Sequence, residues 1–135
     1  MLETVRIQTP NGESLIDVTA QVREIVQASN VQNGLCALFV PHTTAAVTIN
    51  SGLDPMTLED LTGELARLVP KRVDFKHQYD TPADAAAHIK AALIGHSATL
   101  IIAGGNLLLG GSQSILFFEF DGPRSRTLHV KVLSD

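Results

Sequence analysis

The chain has 135 residues, 44% of them hydrophobic, with a net charge of −4, one cysteine and no tryptophan. A domain of about this length buries roughly 65–70% of the surface its unfolded chain exposes, so one domain without staples is expected. The acidic balance and scarce aromatics argue against general attachment to nucleic acid, while a few local arginines could still hold a small anion. The lone Cys36 excludes an internal disulfide and fits a reducing cytoplasm. No basic-then-apolar leader and no apolar run of about 20 residues is visible, so the expectation is a soluble cytoplasmic protein without a membrane span.

In chain order, Thr4 to Gln8 alternates as a strand would, and Asn11-Gly12 reads as a hairpin turn into a second strand, Ser14–Val18. Val22, Ile25 and Val26 follow at helical spacing over Thr19 to Ser29, with Thr19 as the candidate cap. Asn33-Gly34 closes that unit. The apolar run Leu35–Val40 and the segment Ala46–Asn50 read as strands on either side of a Pro41-His42-Thr43-Thr44 corner. Asp54-Pro55 opens a helix as cap and first residue, with Leu58, Leu61, Leu65 and Leu68 as its apolar stripe and Val69-Pro70 as its end.

Residues 70–80 look irregular and hold His77. A shorter helix from Pro82 to Ile94 stops at Gly95. The last third reads as strands at Ala98–Ala103, Asn106–Leu109, Gln113–Phe120 and Ser125–Leu133, separated by glycine-rich turns. Ile115 to Phe118 is apolar at consecutive positions, so both faces of that strand should be covered, one by the core and one by a helix, sheet or subunit. Runs of strands interrupted by helices predict an α+β fold with a mostly antiparallel sheet.

His42, His77 and His88 are the first site candidates. Zinc commonly takes three protein ligands and leaves a fourth position open, although the 35- and 11-residue spacings match no short metal signature. The competing reading is a set of hydrogen-bonded structural histidines. His96 and His129 are weaker candidates, and His129 alternates with Thr127 and Lys131 on a polar strand face. Asp84 lies one turn before His88 and could orient its imidazole, or it could simply favour the helix start beside Thr81. On the preceding helix, Glu59 and Asp60 diverge by about 100°, and Asp60 lies nearer the apolar stripe.

Arg124 and Arg126 are two apart on a predicted strand and so share a face. They either pair with Glu119 and Asp121 or form a phosphate clamp. Gly104-Gly105 and Gly110-Gly111 fit no nucleotide-binding fingerprint and read as tight turns. Thr43 and Thr44 could offer hydroxyls to a ligand or terminate strands. Cys36 reads as a core side chain, and Ser51, Ser112 and Ser125 lack the context of a nucleophile.

Several blocks together carry a resemblance: Phe39 to Ala46, Asp54 with Asp60, His77, Ala87-His88-Ile89-Lys90, Leu107 to Gly110 with Gln113, and Glu119 to Arg126. Over nearly its whole length the chain resembles the YjbQ-type family, whose members are often labelled secondary thiamine-phosphate synthase. The resemblance implies an α+β fold with a β-sandwich-like core and two to three helices, assembled as a homotrimer with the site near subunit boundaries. It implies His42, His77 and His88 as metal or substrate ligands, and Asp60, Gln113 and Arg124 as the polar residues supporting catalysis. Two positions depart from the family pattern. Ser51 stands where an acid usually follows the asparagine, and Ser112 where tryptophan usually precedes the glutamine.

The activity implied is a metal-assisted transfer that joins hydroxymethylpyrimidine diphosphate to a thiazole phosphate and releases diphosphate. Arg124 and Arg126 would receive phosphate, and the divalent ion would be zinc by its imidazole ligands, with magnesium as the alternative. The rival expectations are a metal-dependent hydrolase and a non-catalytic trimeric protein binding a metal or small anion.

Overall fold

The computed structural model describes residues 1–72, 74–77 and 82–135; Thr81, read above as bracketing a helix start, lies outside them. The elements are β1 (Leu2–Gln8), β2 (Gly12–Asp17), α1 (Thr19–Ser29), β3 (Gly34–Phe39), β4 (Ala45–Ser51) and α2 (Pro55–Leu68). They continue with α3 (Pro82–Ile94), β5 (Ser97–Ala103), β6 (Asn106–Leu107), β7 (Gln113–Gly122) and β8 (Ser125–Ser134). The strands form a five-stranded sheet, β1-β8-β3-β5-β6, and a three-stranded sheet, β2-β7-β4. Every pairing among them is antiparallel, which is the α+β, sandwich-like architecture expected from the sequence.

The core forms between the sheets because alternate strand residues point inward. Val5 and Ile7 of β1, Cys36 and Leu38 of β3, and Leu128, Val130 and Val132 of β8 meet Val47 of β4 and Ile115 and Phe117 of β7. Val22 and Val26 of α1 complete this cluster, matching the helical spacing seen in the sequence. Burial pushes the Cys36 thiol up to about 11, so it is an inert core side chain. The opposite face of β7 carries Phe118 and Phe120, which stack at 4.8 Å and pack with Ala46 beneath Ala87 and Ala91 of α3. The consecutive apolar residues of β7 are thus covered on both faces, one by the sandwich core and one by a helix.

The Asn11-Gly12 turn is not a hairpin. β1 pairs with β8, whereas β2 pairs with β7, so the chain passes from one sheet to the other at this point. β7 and β8 make the same passage through Asp121 to Arg124, and β3 and β4 make it through Val40 to Thr44. A hairpin signal reports a tight turn, and here β8 and β7 offer longer partners on separate sheets. The first two passages lie against each other, for the Thr9 N–H donates to Arg124 O at 2.9 Å. A cis peptide joins Gly122 to Pro123.

Three local expectations need correction. Thr19 is the first helical residue and not the cap of α1; the Asp17 carboxylate accepts from its N–H at 2.9 Å. The stripe of α2 is only partly covered: Leu61 and Leu65 pack on the second cluster, whereas Leu68 is exposed. α2 packs chiefly against β2, an edge strand of the three-stranded sheet, so only part of its stripe finds cover. The strand expected over Asn106–Leu109 shortens to two residues, and Gly104 and Gly105 turn with positive φ. As expected, Asp54 caps α2, accepting from the Met56 N–H at 2.9 Å, and Gly95 ends α3 with φ 103°.

The two crossing segments meet most tightly at Gly122, where a Cβ would lie 1.9 Å from Pro10 O. Backbone atoms would have to separate to admit it. Gly122→Ala should therefore lower stability by about 1–3 kcal/mol, read as a reduced urea midpoint with an unchanged m-value.

Candidate functional site

The β3–β4 and β7–β8 passages meet at one end of the sandwich, with the β1–β2 passage against the second, and a cavity of about 650 Å³ opens there. Phe39 to Thr44 line one side, Arg124 and Arg126 another, and Asp84 and His88 of α3 a third, with His96 at the entry to β5. Loops from separate strands are the usual carriers of such sites because the sheets fix their ends.

The floor rests on a buried ion pair. Glu119 is fully buried in β7 between two phenylalanines, and Arg126 of β8 is 6% exposed. Arg126 donates to Glu119 through Nε at 2.8 Å and Nη2 at 2.5 Å, and its Nη2 also donates to Thr44 Oγ1 at 2.7 Å. The Thr9 hydroxyl donates to Glu119 at 2.6 Å and accepts from the Arg124 N–H at 2.9 Å. Burial alone pushes the Glu119 carboxyl up, but the bonds from Arg126, Thr9 and the Asp121 amide outweigh it and hold the group below its ordinary value. This network holds the loop after His42 and the loop carrying Arg124 in one arrangement.

The two arginines therefore separate. Arg126 is a buried structural partner of Glu119, the plainer of the two readings above. Arg124 precedes β8, is partly exposed at the cavity, and contacts Asp121 at 2.9 Å.

The histidines also divide. His77 Nε2 lies 2.6 Å from Asp84 Oδ2, and His88 Nε2 lies 3.4 Å from the same oxygen. The His77 and His88 rings meet edge to face with centroids 5.0 Å apart. One ligand atom from each of His77, Asp84 and His88 can be chosen so that all lie within 4.8 Å of one another. Asp84 is buried and the two histidines are partly exposed. Burial raises the Asp84 pKa, but hydrogen bonds and charge from His77 and His88 more than offset it, so the net shift is downward.

His42 lines the same cavity but stands outside this cluster. Its Nε2 accepts the Thr127 backbone N–H at 2.9 Å. Asp60 is exposed on α2 and Gln113 is exposed at the start of β7, where its Oε1 accepts the Gly110 N–H at 2.8 Å. Neither lines this cavity. Ser51, one of the two departures from the family pattern, ends β4.

Glu119 is the partner that the sequence offered for the arginines, since a buried charge needs one. Thr9 was passed over and left no signal, because only the crossing of β1 past β8 brings it to the carboxylate.

The sequence profile described as UPF0047 protein YjbQ-like matches residues 3–135. A UPF0047 protein of Methanocaldococcus jannaschii is 42% identical over all of this chain and 96% of its own length. YugU, a UPF0047 protein of Bacillus subtilis, is 36% identical over 98% of this chain and 99% of its own. Among solved structures, a YjbQ-like protein of unknown function from Sulfolobus solfataricus superposes with a TM-score of 0.94 at 30% identity. That match covers 100% of this chain and 97% of the other. A hypothetical protein from Aeropyrum pernix gives a TM-score of 0.94 at 35% identity, covering 100% and 99%. The match along the chain and the shared fold lead to one conclusion: the protein belongs to the UPF0047 YjbQ-like family.

Proposed function

We propose that the cavity binds a divalent cation at its α3 side and a small phosphate-bearing molecule across its mouth, and that the protein is a metal-assisted transferase of the thiamine-phosphate synthase type. The observation that carries this reading is the convergence of His77, Asp84 and His88 at the edge of a cavity that Arg124 also lines. Two imidazoles and a carboxylate suit zinc, which His77, Asp84 and His88 would hold. When bound, such an ion supplies positive charge against a departing phosphate.

The chain's own residues do the rest. Arg124 offers a guanidinium fork to phosphate oxygens. Arg126, already engaged with Glu119, acts through Thr44 by holding the loop that borders the ligand. The apolar flank, with Phe39 and Val40, keeps one side of the cavity poor in competing water. Asp60 and Gln113 would enter only through a neighbouring subunit, since neither reaches the cavity within one chain.

A homotrimer is part of the same proposal. Leu133, Leu35 and Ile101 lie side by side across β8, β3 and β5, each more than 40% exposed. Three large apolar side chains in a row across neighbouring strands are what a subunit contact would cover.

Three measurements test these points. Zinc titrated into metal-free protein should bind near one per chain, with His77→Ala, Asp84→Ala and His88→Ala each weakening it by about 10-fold or more; unchanged affinity would remove the cluster from consideration. Incubation with the pyrimidine diphosphate and the thiazole phosphate should yield thiamine phosphate and diphosphate in the presence of zinc or magnesium. Release of phosphate without coupling would favour a hydrolase, and tight binding without turnover a binding protein. Light scattering should give three times the 14.4 kDa chain mass, falling toward the monomer in Leu35→Lys.

A further inference from the structure

We propose that His42 is a neutral hydrogen-bond donor to an oxygen of the bound anion, through Nδ1–H, and is not one of the metal ligands. The inference rests on the reading of the cavity as a phosphate site and assigns one residue its part in it.

The argument begins with a strand that ends early. β3 pairs with β8 from Gly34 opposite Ser134 to Phe39 opposite His129. Continued by two residues, that register would set Pro41 opposite Thr127. Proline enters there and the chain turns toward the second sheet, leaving the Thr127 amide on that side without a strand partner. A backbone N–H left unpaired is costly, and the His42 imidazole takes the place of the missing carbonyl by accepting it at 2.9 Å.

That contact fixes the chemistry of the ring. A backbone amide can only donate, so Nε2 must present its lone pair. In the neutral ring the proton then resides on Nδ1. Burial holds the ring toward the neutral form, the Arg126 guanidinium adds to this and the Glu119 carboxylate opposes it, leaving the pKa below its ordinary value. Imidazole binds a metal through a lone pair, and the only one here is engaged. The same histidine stands outside the His77, Asp84 and His88 cluster.

Nδ1 is left as the functional end. It has no hydrogen-bond partner among the described residues, while the ring lines the cavity with Arg124. A fixed, uncharged N–H beside a guanidinium suits an oxygen that gains negative charge as a bond to it breaks. The ligand class is a tetrahedral oxyanion, such as a phosphate group.

The test uses the full chain with ¹⁵N-labelled histidine and arginine side chains, titrated first with zinc alone and then with inorganic phosphate, His42 being assigned from His42→Gln. The expected result is the Nδ1–H tautomer at His42, unmoved by zinc while His77 and His88 shift, and then moved by phosphate. In calorimetry, His42→Ala should weaken phosphate binding by about 10- to 100-fold without changing zinc affinity. His42→Gln, which can accept from Thr127 and donate onward, should restore most of it; a role confined to capping Thr127 would leave phosphate affinity unmoved in both variants. An Nε2–H tautomer, or zinc-induced shifts at His42 like those of His77, would overturn the proposal. Phosphate that moves the Arg124 side-chain resonances and not His42 would overturn this inference alone. Phosphate that moves neither, with zinc still shifting His77 and His88, would refute the anion half of the proposed function and this inference with it.

Discussion

The end of the sandwich that holds the cavity depends on one interaction, the buried pair of Glu119 and Arg126. Two charges removed from water are costly unless every remaining hydrogen-bonding position is used. Here the carboxylate is met by Arg126, Thr9 and the Asp121 amide, and the guanidinium by Glu119 and Thr44. Those partners come from β7, β8, the passage after β1 and the passage before β4. Removing one member would strand the other, a loss of about 3–5 kcal/mol for a buried pair. The pair therefore clamps loops that have no hydrophobic reason to lie together.

With the clamp in place, the cavity becomes a meeting of two unlike walls. One wall is strand-derived and rigid, with Arg124 and the ring of His42 set by backbone contacts at Thr9 and Thr127. The other is α3, which brings Asp84 and His88 one turn apart and meets His77 from the segment before it. The cavity therefore carries two separate sets of polar side chains, guanidinium and imidazole on the strand-derived wall and carboxylate and imidazole on α3.

Much of the frame was legible in the sequence. Asp54-Pro55 and Gly95 marked helix ends, and the consecutive apolar residues of β7 signalled cover on both faces. The Asn11-Gly12 turn misled because turn chemistry reports a tight bend and not the sheet each strand joins. At the site, the spacing of Asp84 and His88 on one helix was readable, and so was the search for carboxylate partners near Arg126. The fate of His42 was not, because it depends on where β3 stops pairing with β8. Nor was the division of labour between Arg124 and Arg126, since only the packing of β8 on β7 shows that Arg126 meets the buried Glu119 while Arg124 stays at the cavity beside Asp121.

α3 meets the second sheet through alanines, Ala87 and Ala91, so shape alone does little to fix its rotation. Lys90, 1% exposed, supplies the missing constraint by pairing with Glu13 of β2. It lies two residues past His88, on the far side of the helix, so it anchors the helix from behind while His88 faces the cavity. Positions 13 and 90 consequently act as one physical unit. A change at either alone leaves a buried charge unmatched, whereas a joint exchange for apolar residues of similar volume keeps Asp84 and His88 of α3 in place.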